Sequence, residues 1–319
     1  MAAMTENSRP IIVAYGPLYP YLMEGLERRF TVHCVAADAD LATLDPAVRN
    51  ARALVSFGSV GASAAIMDAL PKLEMIGLFS VGYDKVDVNH ARAQGIRVSN
   101  TPDVLTDDVA DLAVGLLYAT VRNIAANDRM VRSGAWERGE KPALSGRVTG
   151  RTIGILGLGR IGRAIAMRVA PVAGEIIYHN RREAPDSPYR YVADPIAFAR
   201  ESDVLIVATS GGPEAAKLVD AAMLDALGAE GIIINISRGS VIDEDALVAA
   251  LADKRIAGAG LDVFVAEPHV PSALMAMDHV VLQPHQGSAT VQTRAAMADL
   301  VLANLDAHFA GKPLVTPVV

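Results

Sequence analysis

The fold is decided by residues 152–163, which read TIGILGLGRIGR. The β-branched and aliphatic run over 152–156 predicts a buried strand that ends at Gly157. The motif Gly157-x-Gly159-x-x-Gly162 follows, a helix is predicted over 161–172, and a second strand over 175–179. A strand, a glycine motif, a helix and a strand in this order form the context in which the motif binds a dinucleotide.

Each glycine has a physical purpose in such a site. Gly157 allows the tight turn out of the strand, Gly159 lets the backbone approach a pyrophosphate, and Gly162 lets the helix pack close to the strand. The N–H groups and the positive dipole end of the helix then face the phosphates. The motif therefore predicts these cofactor contacts: Gly157, Leu158, Gly159, Arg160, Ile161 and Gly162.

Short apolar runs alternate with helical patterns along the whole chain, which predicts an α/β protein with parallel sheets. The expected fold is two Rossmann-like or flavodoxin-like parallel-sheet domains with the active site in an interdomain cleft. Residues 1–100 and 289–319 are predicted to form a substrate-binding (catalytic) domain, because the last helix, 289–310, returns to the first unit. Residues 101–288 are predicted to form the NAD(P)-binding Rossmann domain.

Composition excludes several classes of partner. The net charge is −7 with no basic run, so nucleic acid is not an expected partner. The N-terminus lacks the apolar core of a signal peptide and no apolar run is long enough for a membrane span, so a cytoplasmic protein without a membrane partner is expected. The single cysteine, Cys34, lies in an apolar run and is predicted to be a buried, inert thiol. The histidines show no metal-ligand spacing, and no metal is expected.

Three polar residues follow predicted strands of the second unit. Arg238 follows the strand predicted over 231–236, Glu267 follows the sequence Asp262-Val263-Phe264, and His285 follows Pro284. A guanidinium is a natural bidentate partner for a carboxylate, and a carboxylate beside a histidine favours the imidazolium as a proton donor. Each residue alone also fits an ordinary solvated loop, so the hypothesis of an active site depends on their meeting at one sheet edge.

Two glycine-bearing loops follow strands of the first unit, 58–61 and 80–84. Ligands of open α/β sheets bind beyond the carboxyl ends of the strands, where exposed N–H groups can hold an anion. Ordinary strand-to-helix turns would have the same composition, and both interpretations stay open.

Several further motifs make the chain resemble the D-isomer-specific 2-hydroxyacid dehydrogenases, and within them the glyoxylate/hydroxypyruvate reductases. Besides GLGRIG at 157–162, they are VGYDKVD at 81–87, TPDVLTDDVADLAVGLL at 101–117, NISRGSVIDEDAL at 235–247, GLDVF at 260–264, EP at 267–268 and PHQGSAT at 284–290. The resemblance covers nearly the whole chain. One departure is Gln286, at a position where family members often carry an apolar residue.

The resemblance implies a role for several residues. Arg238 would bind the substrate carboxylate and polarise the 2-oxo group, His285 would be the acid/base, and Glu267 its partner. Val81 and Gly82 would give backbone N–H groups to the carboxylate, and Asp262 would orient the nicotinamide amide. Other cofactor contacts are expected at Thr209, Ile236, Ser237 and Gly287.

The cofactor preference is predicted from the end of the strand over 175–179. NAD-binding members of this fold carry an acidic residue about 20 positions beyond the glycine motif. Here Asn180, Arg181 and Arg182 stand at that place, and the arginines can pair with a 2′-phosphate. NADP(H) is therefore expected to be preferred, with NAD(H) possible. The alternative is that both arginines lie on a solvated loop.

The expected function is NADPH-dependent reduction of small 2-oxo acids, glyoxylate to glycolate and hydroxypyruvate to D-glycerate. One alternative is a dehydrogenase of another D-2-hydroxy acid, such as a larger acid or phosphoglycerate. Another is a non-catalytic dinucleotide-sensing protein, although such a protein has no need of Arg238, Glu267 and His285 together. A homodimer is expected through the apolar helix predicted over 101–123 and the arm that carries Trp136.

Overall fold

The structure, a computed structural model, describes residues 9–319. The chain divides into two compact units. Unit 1 contains the residues up to Leu105 together with Thr290–Val319, and unit 2 is Thr106–Ala289. The chain returns from unit 2 to unit 1 at Thr290, directly before the long C-terminal helix, so this helix belongs to unit 1.

Residues 9–319 form two parallel sheets, one in each unit. The strands are β1 (Ile11–Tyr15), β2 (Thr31–Val35), β3 (Ala53–Phe57), β4 (Met75–Phe79), β5 (Arg97–Ser99), β6 (Thr152–Leu156), β7 (Glu175–His179), β8 (Arg190–Tyr191), β9 (Val204–Val207), β10 (Ile232–Asn235), β11 (Gly258–Leu261) and β12 (Val280–Leu282). The helices are α1 (Pro20–Arg29), α2 (Ala64–Ala69), α3 (Val88–Ala93), α4 (Thr106–Val121), α5 (Ile124–Arg132), α6 (Arg160–Val169), α7 (Pro195–Arg200), α8 (Ala221–Leu227), α9 (Glu244–Ala252), α10 (Ser272–Met275) and α11 (Val291–Phe309).

The sheet of unit 1 has five strands in the order β2-β1-β3-β4-β5. Its strand order reverses between β1 and β3, so a crevice is expected outside the carboxyl ends of these two strands. The inner strand β4 has all five residues buried, as expected of a strand covered on both faces. Helix α11 packs across β4 and α1 and closes one face of the sheet.

The sheet of unit 2 has seven strands in the order β12-β11-β10-β9-β6-β7-β8. The order reverses between β6 and β9, which places the glycine motif after β6 at the reversal point. Strands β9 and β10 are fully buried runs of aliphatic residues, apart from Asn235 at the end of β10. The predicted fold class, an α/β protein with two parallel-sheet units, is confirmed.

One expectation about burial was wrong. Cys34 is exposed, because β2 is an edge strand whose side chains are only partly covered. The buried apolar residues of α4 pack on α6 and on β10, β11 and β12 of its own unit. Among residues 9–319, no single helix has the length and apolarity to cross a membrane, although α4 and α5 together, bent by 64° at their junction, reach those values.

Candidate active site

The glycine motif turns tightly between β6 and α6. Gly157 has φ +102°, and a Cβ there would lie 2.5 Å from the backbone N of Thr209, so only glycine fits. A Cβ at Gly162 would lie 2.1 Å from the carbonyl oxygen of Gly157, which brings α6 against the strand. A Cβ at Gly159 would meet no atom within 4 Å. The space beside Gly159 is therefore open to a ligand, and the first-turn N–H groups of α6 have no acceptor within the helix.

Asn180, directly after β7, holds the glycine loop by a hydrogen bond. Its Oδ1 accepts a hydrogen bond from the N–H of Leu158 at 2.7 Å, and its carbonyl accepts one from the Tyr191 hydroxyl at 3.0 Å. The amide thus fixes the turn before α6 and places no negative charge at the strand end. These contacts join Asn180 and Leu158, two residues expected to contact the cofactor.

The two arginines after Asn180 have different surroundings. Arg181 forms an ion pair with Glu214, and both side chains are 82% exposed, so the pair is strongly screened by solvent. Arg182 is exposed, and within residues 9–319 it has no hydrogen-bond or ion-pair partner. The guanidinium of Arg182 is therefore available to an anion, whereas that of Arg181 must first leave Glu214.

His285 and Glu267 form a direct pair. Nδ1 of His285 lies 2.7 Å from Oε2 of Glu267, and Oε1 of Glu267 accepts the N–H of Phe264 at 3.0 Å. Burial raises the pKa of Glu267, but the hydrogen bonds from His285 and Phe264 and the nearby charge of Arg238 outweigh it, so the pKa lies below its usual value. The carboxylate is therefore ionised and can only accept, which puts a proton on Nδ1.

The loop that carries His285 is held by Asp262, a carboxylate only 1% exposed. Its Oδ1 accepts a hydrogen bond from the N–H of Gln286 at 2.6 Å, and its Oδ2 accepts one from the N–H of Gly287 at 2.9 Å. The backbone carbonyl of Asp262 accepts a third, from the N–H of His285 at 2.9 Å. His285 has φ +54°, a conformation that non-glycine residues seldom adopt, and these hydrogen bonds stabilise it. Burial raises the pKa of Asp262, although the two N–H groups act in the opposite direction.

Arg238 follows β10 in a loop that Asn235 organises. Oδ1 of Asn235 accepts from both the N–H and the hydroxyl of Ser237 at 3.0 Å, and its Nδ2 donates to the Arg238 carbonyl at 3.0 Å. Sequence reasoning missed Asn235, although an asparagine directly at a strand end is a signal for such a turn. Ile236 and Ser237 are largely buried in this loop.

The Arg238 loop packs directly on the loop that carries Glu267. A Cβ on Gly239 would lie 2.0 Å from the carbonyl carbon of Phe264, so the two backbones touch. Glu244, at the start of α9, accepts the N–H of Val265 at 3.0 Å and fixes the same segment. Since β10, β11 and β12 are neighbours, the three loops after them meet at one edge and bring Arg238, Glu267 and His285 together.

The remaining expected residues of unit 2 lie around this edge. Thr209 follows β9 against Gly157, and Gly287 is buried beside Asp262. The side chain of Gln286 is exposed, and its Nε2 donates to the carbonyl of Pro284 at 3.0 Å. No cluster of three or more potential metal ligands occurs within residues 9–319.

In unit 1, the loop after β4 presents backbone donors. The carbonyl oxygen of Ser80 accepts a hydrogen bond from the N–H of Thr101 at 2.8 Å. The carbonyl oxygen of Val81 accepts one from Nδ2 of Asn100 at 2.8 Å. The carbonyl oxygen of Gly82 accepts one from the hydroxyl of Ser80 at 2.6 Å. Within residues 9–319, the N–H groups of Val81 and Gly82 donate to no acceptor. The loop therefore has its carbonyls occupied and two N–H groups available, as an anion site requires.

Known proteins resemble the chain over most of its length. The sequence profile described as D-isomer specific 2-hydroxyacid dehydrogenase, NAD binding domain, matches residues 114–287. Glyoxylate/hydroxypyruvate reductase A of Arabidopsis thaliana is 48% identical over 95% of this chain and 97% of its own. The 2-ketogluconate reductase of Gluconobacter oxydans is 45% identical over 98% of this chain and 100% of its own.

A solved structure shows the same fold. The NADPH-dependent glyoxylate/hydroxypyruvate reductase of Sinorhizobium meliloti, crystallised with NADP and malonate, has a TM-score of 0.93 and 43% identity, and the match covers 98% of this chain and 97% of that one. The profile match extends over more than half of the chain, and the relatives align over nearly all of it. The chain therefore belongs to the D-isomer-specific 2-hydroxyacid dehydrogenase family.

Proposed function

We propose that the chain is an NADPH-preferring reductase of small 2-oxo acids, converting glyoxylate to glycolate and hydroxypyruvate to D-glycerate. The observation that carries this proposal is the 2.7 Å pair of His285 and an ionised Glu267, at the sheet edge that also holds Arg238. Support comes from relatives at 43–48% identity whose names state this activity. In this proposal unit 2 binds the dinucleotide and unit 1 contributes substrate-binding groups.

His285 is the proposed proton donor. Because Nδ1–H is committed to Glu267, Nε2 remains for the substrate, and the carboxylate stabilises the imidazolium that holds the transferable proton. His285 then donates from Nε2 to the 2-oxo oxygen as negative charge develops there. Asp262 contributes by keeping the His285 loop in its strained conformation. It also keeps acceptor capacity for the nicotinamide amide, since a carboxylate offers about four lone-pair sites.

Arg238 and the loop after β4 are proposed to bind the carboxylate. The guanidinium of Arg238 forms a bidentate contact and polarises the 2-oxo group, while the N–H groups of Val81 and Gly82 hold the same anion. When NADPH is bound, its nicotinamide supplies the hydride. The open space at Gly159 and the N–H groups that begin α6 would hold its pyrophosphate.

The preference for NADPH over NADH rests on three residues in this proposal. Asn180 places no negative charge at the end of β7, so it does not repel a 2′-phosphate. Arg182 is available to that phosphate. Arg181 reaches it by breaking its ion pair with Glu214, which at such exposure contributes at most about 1 kcal/mol. NADH remains a usable, weaker cofactor.

A homodimer is also part of the proposal, through the helix predicted over 101–123, observed as α4, and the arm 134–150, with α5 lying between them in the chain. Helix α5 has no buried residue, and Ile124 and Val131 are exposed on it. Trp136 and Leu144 of the arm are exposed as well, and a C2 interface would cover these apolar side chains. Light scattering of dilute protein tests this, and a stable monomer would contradict it. The cytoplasm stays the proposed compartment, since NADPH consumption needs a reducing pool.

A larger 2-oxo acid is the second candidate substrate. The observation in its favour is that the 2-ketogluconate reductase is 45% identical and a hydroxyphenylpyruvate reductase of Plectranthus scutellarioides 47% identical. Purified protein assayed with NADPH and NADH against glyoxylate, hydroxypyruvate, phenylpyruvates and 2-ketogluconate distinguishes the candidates. The proposal requires the highest kcat/KM for glyoxylate or hydroxypyruvate with NADPH. A chain that binds NADPH but turns over none of the acids would instead be a dinucleotide sensor.

A further inference from the structure

Arg294 of unit 1 lies near the N-terminus of a helix, a position that is unfavourable for a cation. Arg294 lies in the first turns of α11, after the Thr290 cap, although the positive end of the helix dipole repels a cation there. Its guanidinium stacks over two aromatic rings, 5.7 Å from the centroid of Phe57 and 5.6 Å from that of Phe79. Sequence reasoning missed this residue, and the basic side chain near a helix start was the available signal.

Arg294 is half-buried and has no anionic partner. Burial lowers the pKa of Arg294, and only Tyr19 acts in the opposite direction. Within residues 9–319, the guanidinium of Arg294 makes no hydrogen bond and no ion pair, and only its backbone N–H is bonded, to the carbonyl of Thr290. Other partly buried arginines differ, since Arg168 binds the carboxylates of Asp107 and Asp111. A guanidinium with five N–H donors, removed from water without an acceptor, is costly unless a ligand supplies the acceptor.

The position of Arg294 coincides with the expected ligand crevice of unit 1. Phe57 is the last residue of β3, and Tyr19 follows β1, so these residues flank the point where the strand order reverses. Phe79 is the last residue of β4 and is followed by the loop that offers the N–H groups of Val81 and Gly82. The cation and the two N–H donors therefore belong to the same edge of the same sheet.

We propose that Arg294 binds the oxygen on C3 of the substrate and thereby selects 2-oxo acids that carry one. This inference rests on the proposed function, in which the carboxylate is bound by Val81, Gly82 and Arg238. Hydroxypyruvate has an oxygen on C3, pyruvate has only hydrogens there, and glyoxylate has no third carbon. The aromatic rings shield the hydrogen bond from water and so strengthen it. Larger acids with a hydroxyl on C3 belong to the same substrate class.

The test compares three substrates in one variant. Arg294→Met keeps most of the volume and removes every donor. A hydrogen bond to a charged group contributes about 1.5–3 kcal/mol, so kcat/KM for hydroxypyruvate is expected to fall by roughly 10- to 100-fold, mainly through KM. The values for glyoxylate and pyruvate are expected to stay within about threefold, because neither makes this contact. Arg294→Lys retains a cation without the fork and should recover part of the loss.

Arg29→Met is the matched control. Arg29 on α1 forms an ion pair with Asp306 of α11 at 3.3 Å, so the same substitution there removes a cation from the same helix pair, away from the carboxyl edge. It should leave the ratio of kcat/KM for hydroxypyruvate to that for glyoxylate unchanged. Thermal unfolding and the Kd for NADPH report whether each variant is folded.

The outcomes separate cleanly. An equal loss for glyoxylate and hydroxypyruvate in Arg294→Met would overturn the inference, as would no loss for either, which would leave the arginine as a stacking residue. If Arg294→Met fails to fold, the substrate ratio in Arg294→Lys and Arg294→Gln decides instead, and an unchanged ratio in both counts against the inference. A wild-type chain that reduces neither acid would defeat the proposed function, a result distinct from any of these.

Discussion

The two sheets reverse their strand order in the same way, but different residues stand at the two reversal points. In unit 2 the point between β6 and β9 holds the glycine turn, with Gly157 against Thr209 and open space at Gly159. In unit 1 the point between β1 and β3 is flanked by aromatic rings with Arg294 over them. The topology predicts a crevice in both cases, and the side chains decide which ligand it suits. Backbone donors beside empty space suit a phosphate, whereas a cation on an aromatic wall suits a small polar acid.

The largest expected effect is on kcat in His285→Ala, a variant that separates proton transfer from cofactor binding in unit 2. His285→Ala should lower kcat by roughly 10²- to 10⁴-fold, the usual range for a general acid–base group. The Kd for NADPH should hardly change, because His285 belongs to the loop after β12 and not to the glycine turn. Steady-state kinetics and a NADPH fluorescence titration measure the two quantities. Near-normal turnover would remove His285 from the proton transfer.

Two glycines of one motif provide the next test. Gly162→Ala puts a Cβ 2.1 Å from a backbone oxygen and should destabilise the protein by about 1–3 kcal/mol. Gly159→Ala meets nothing within 4 Å, so stability should be unchanged while the Kd for NADPH rises, because the methyl group enters the space proposed for the pyrophosphate. Thermal unfolding and NADPH titration of both variants check this. The proposed cofactor position is wrong if Gly159→Ala binds NADPH normally.

A further variant, Gly58→Ala, disturbs the edge of unit 1 alone. A Cβ on Gly58 would lie 2.5 Å from Oγ of Ser80 and 3.0 Å from the carbonyl oxygen of Gly82, so Gly58→Ala must shift the loop after β4. Loss of one or two carboxylate hydrogen bonds should raise KM for both glyoxylate and hydroxypyruvate by about tenfold. The Kd for NADPH is the internal control and should stay constant. Unchanged KM values would show that Val81 and Gly82 do not bind the substrate.

The smallest effect concerns the exposed ion pair of Arg181 and Glu214. Glu214→Gln frees Arg181 for a 2′-phosphate, so KM for NADPH should fall by about two- to fivefold, in line with the free energy of an exposed pair. KM for NADH, which lacks that phosphate, should stay the same. Arg182→Ala is the opposite control and should raise KM for NADPH alone. Equal changes for the two cofactors in either variant would contradict the assignment.

Most strands were predictable because they are short apolar runs. The sequence predicts strands over 11–15, 31–35, 53–57, 75–79, 152–156 and 175–179, and β1, β2, β3, β4, β6 and β7 have these bounds. Some helices were predicted too long, because a capping residue makes them begin later in the sequence. For example, the sequence predicts a helix over 85–94, but α3 starts at Val88 after Asp87, whose side chain accepts from the N–H of His90. Residues 183–203 lack a clear apolar period, so β8 and α7 were missed.

The identities of the candidate site residues followed from motifs, but their contacts did not. The hydrogen bond from Leu158 to Asn180 spans 22 positions, and the pair of Arg181 and Glu214 spans 33. Such contacts depend on how strands are ordered in the sheet, which no local pattern contains. The contacts of Arg294 were not predictable for the same reason, since the rings beneath it come from β3 and β4, far away in the chain.

The exposed thiol on the edge strand β2 gives this chain a practical property. Cys34 is its only cysteine, and it is accessible on an edge strand of the sheet on which α11, the helix of Arg294, packs. A maleimide dye would therefore attach at one position without any engineered residue. Ligand binding to unit 1 could then be followed by fluorescence in the otherwise unaltered protein, with no need for turnover.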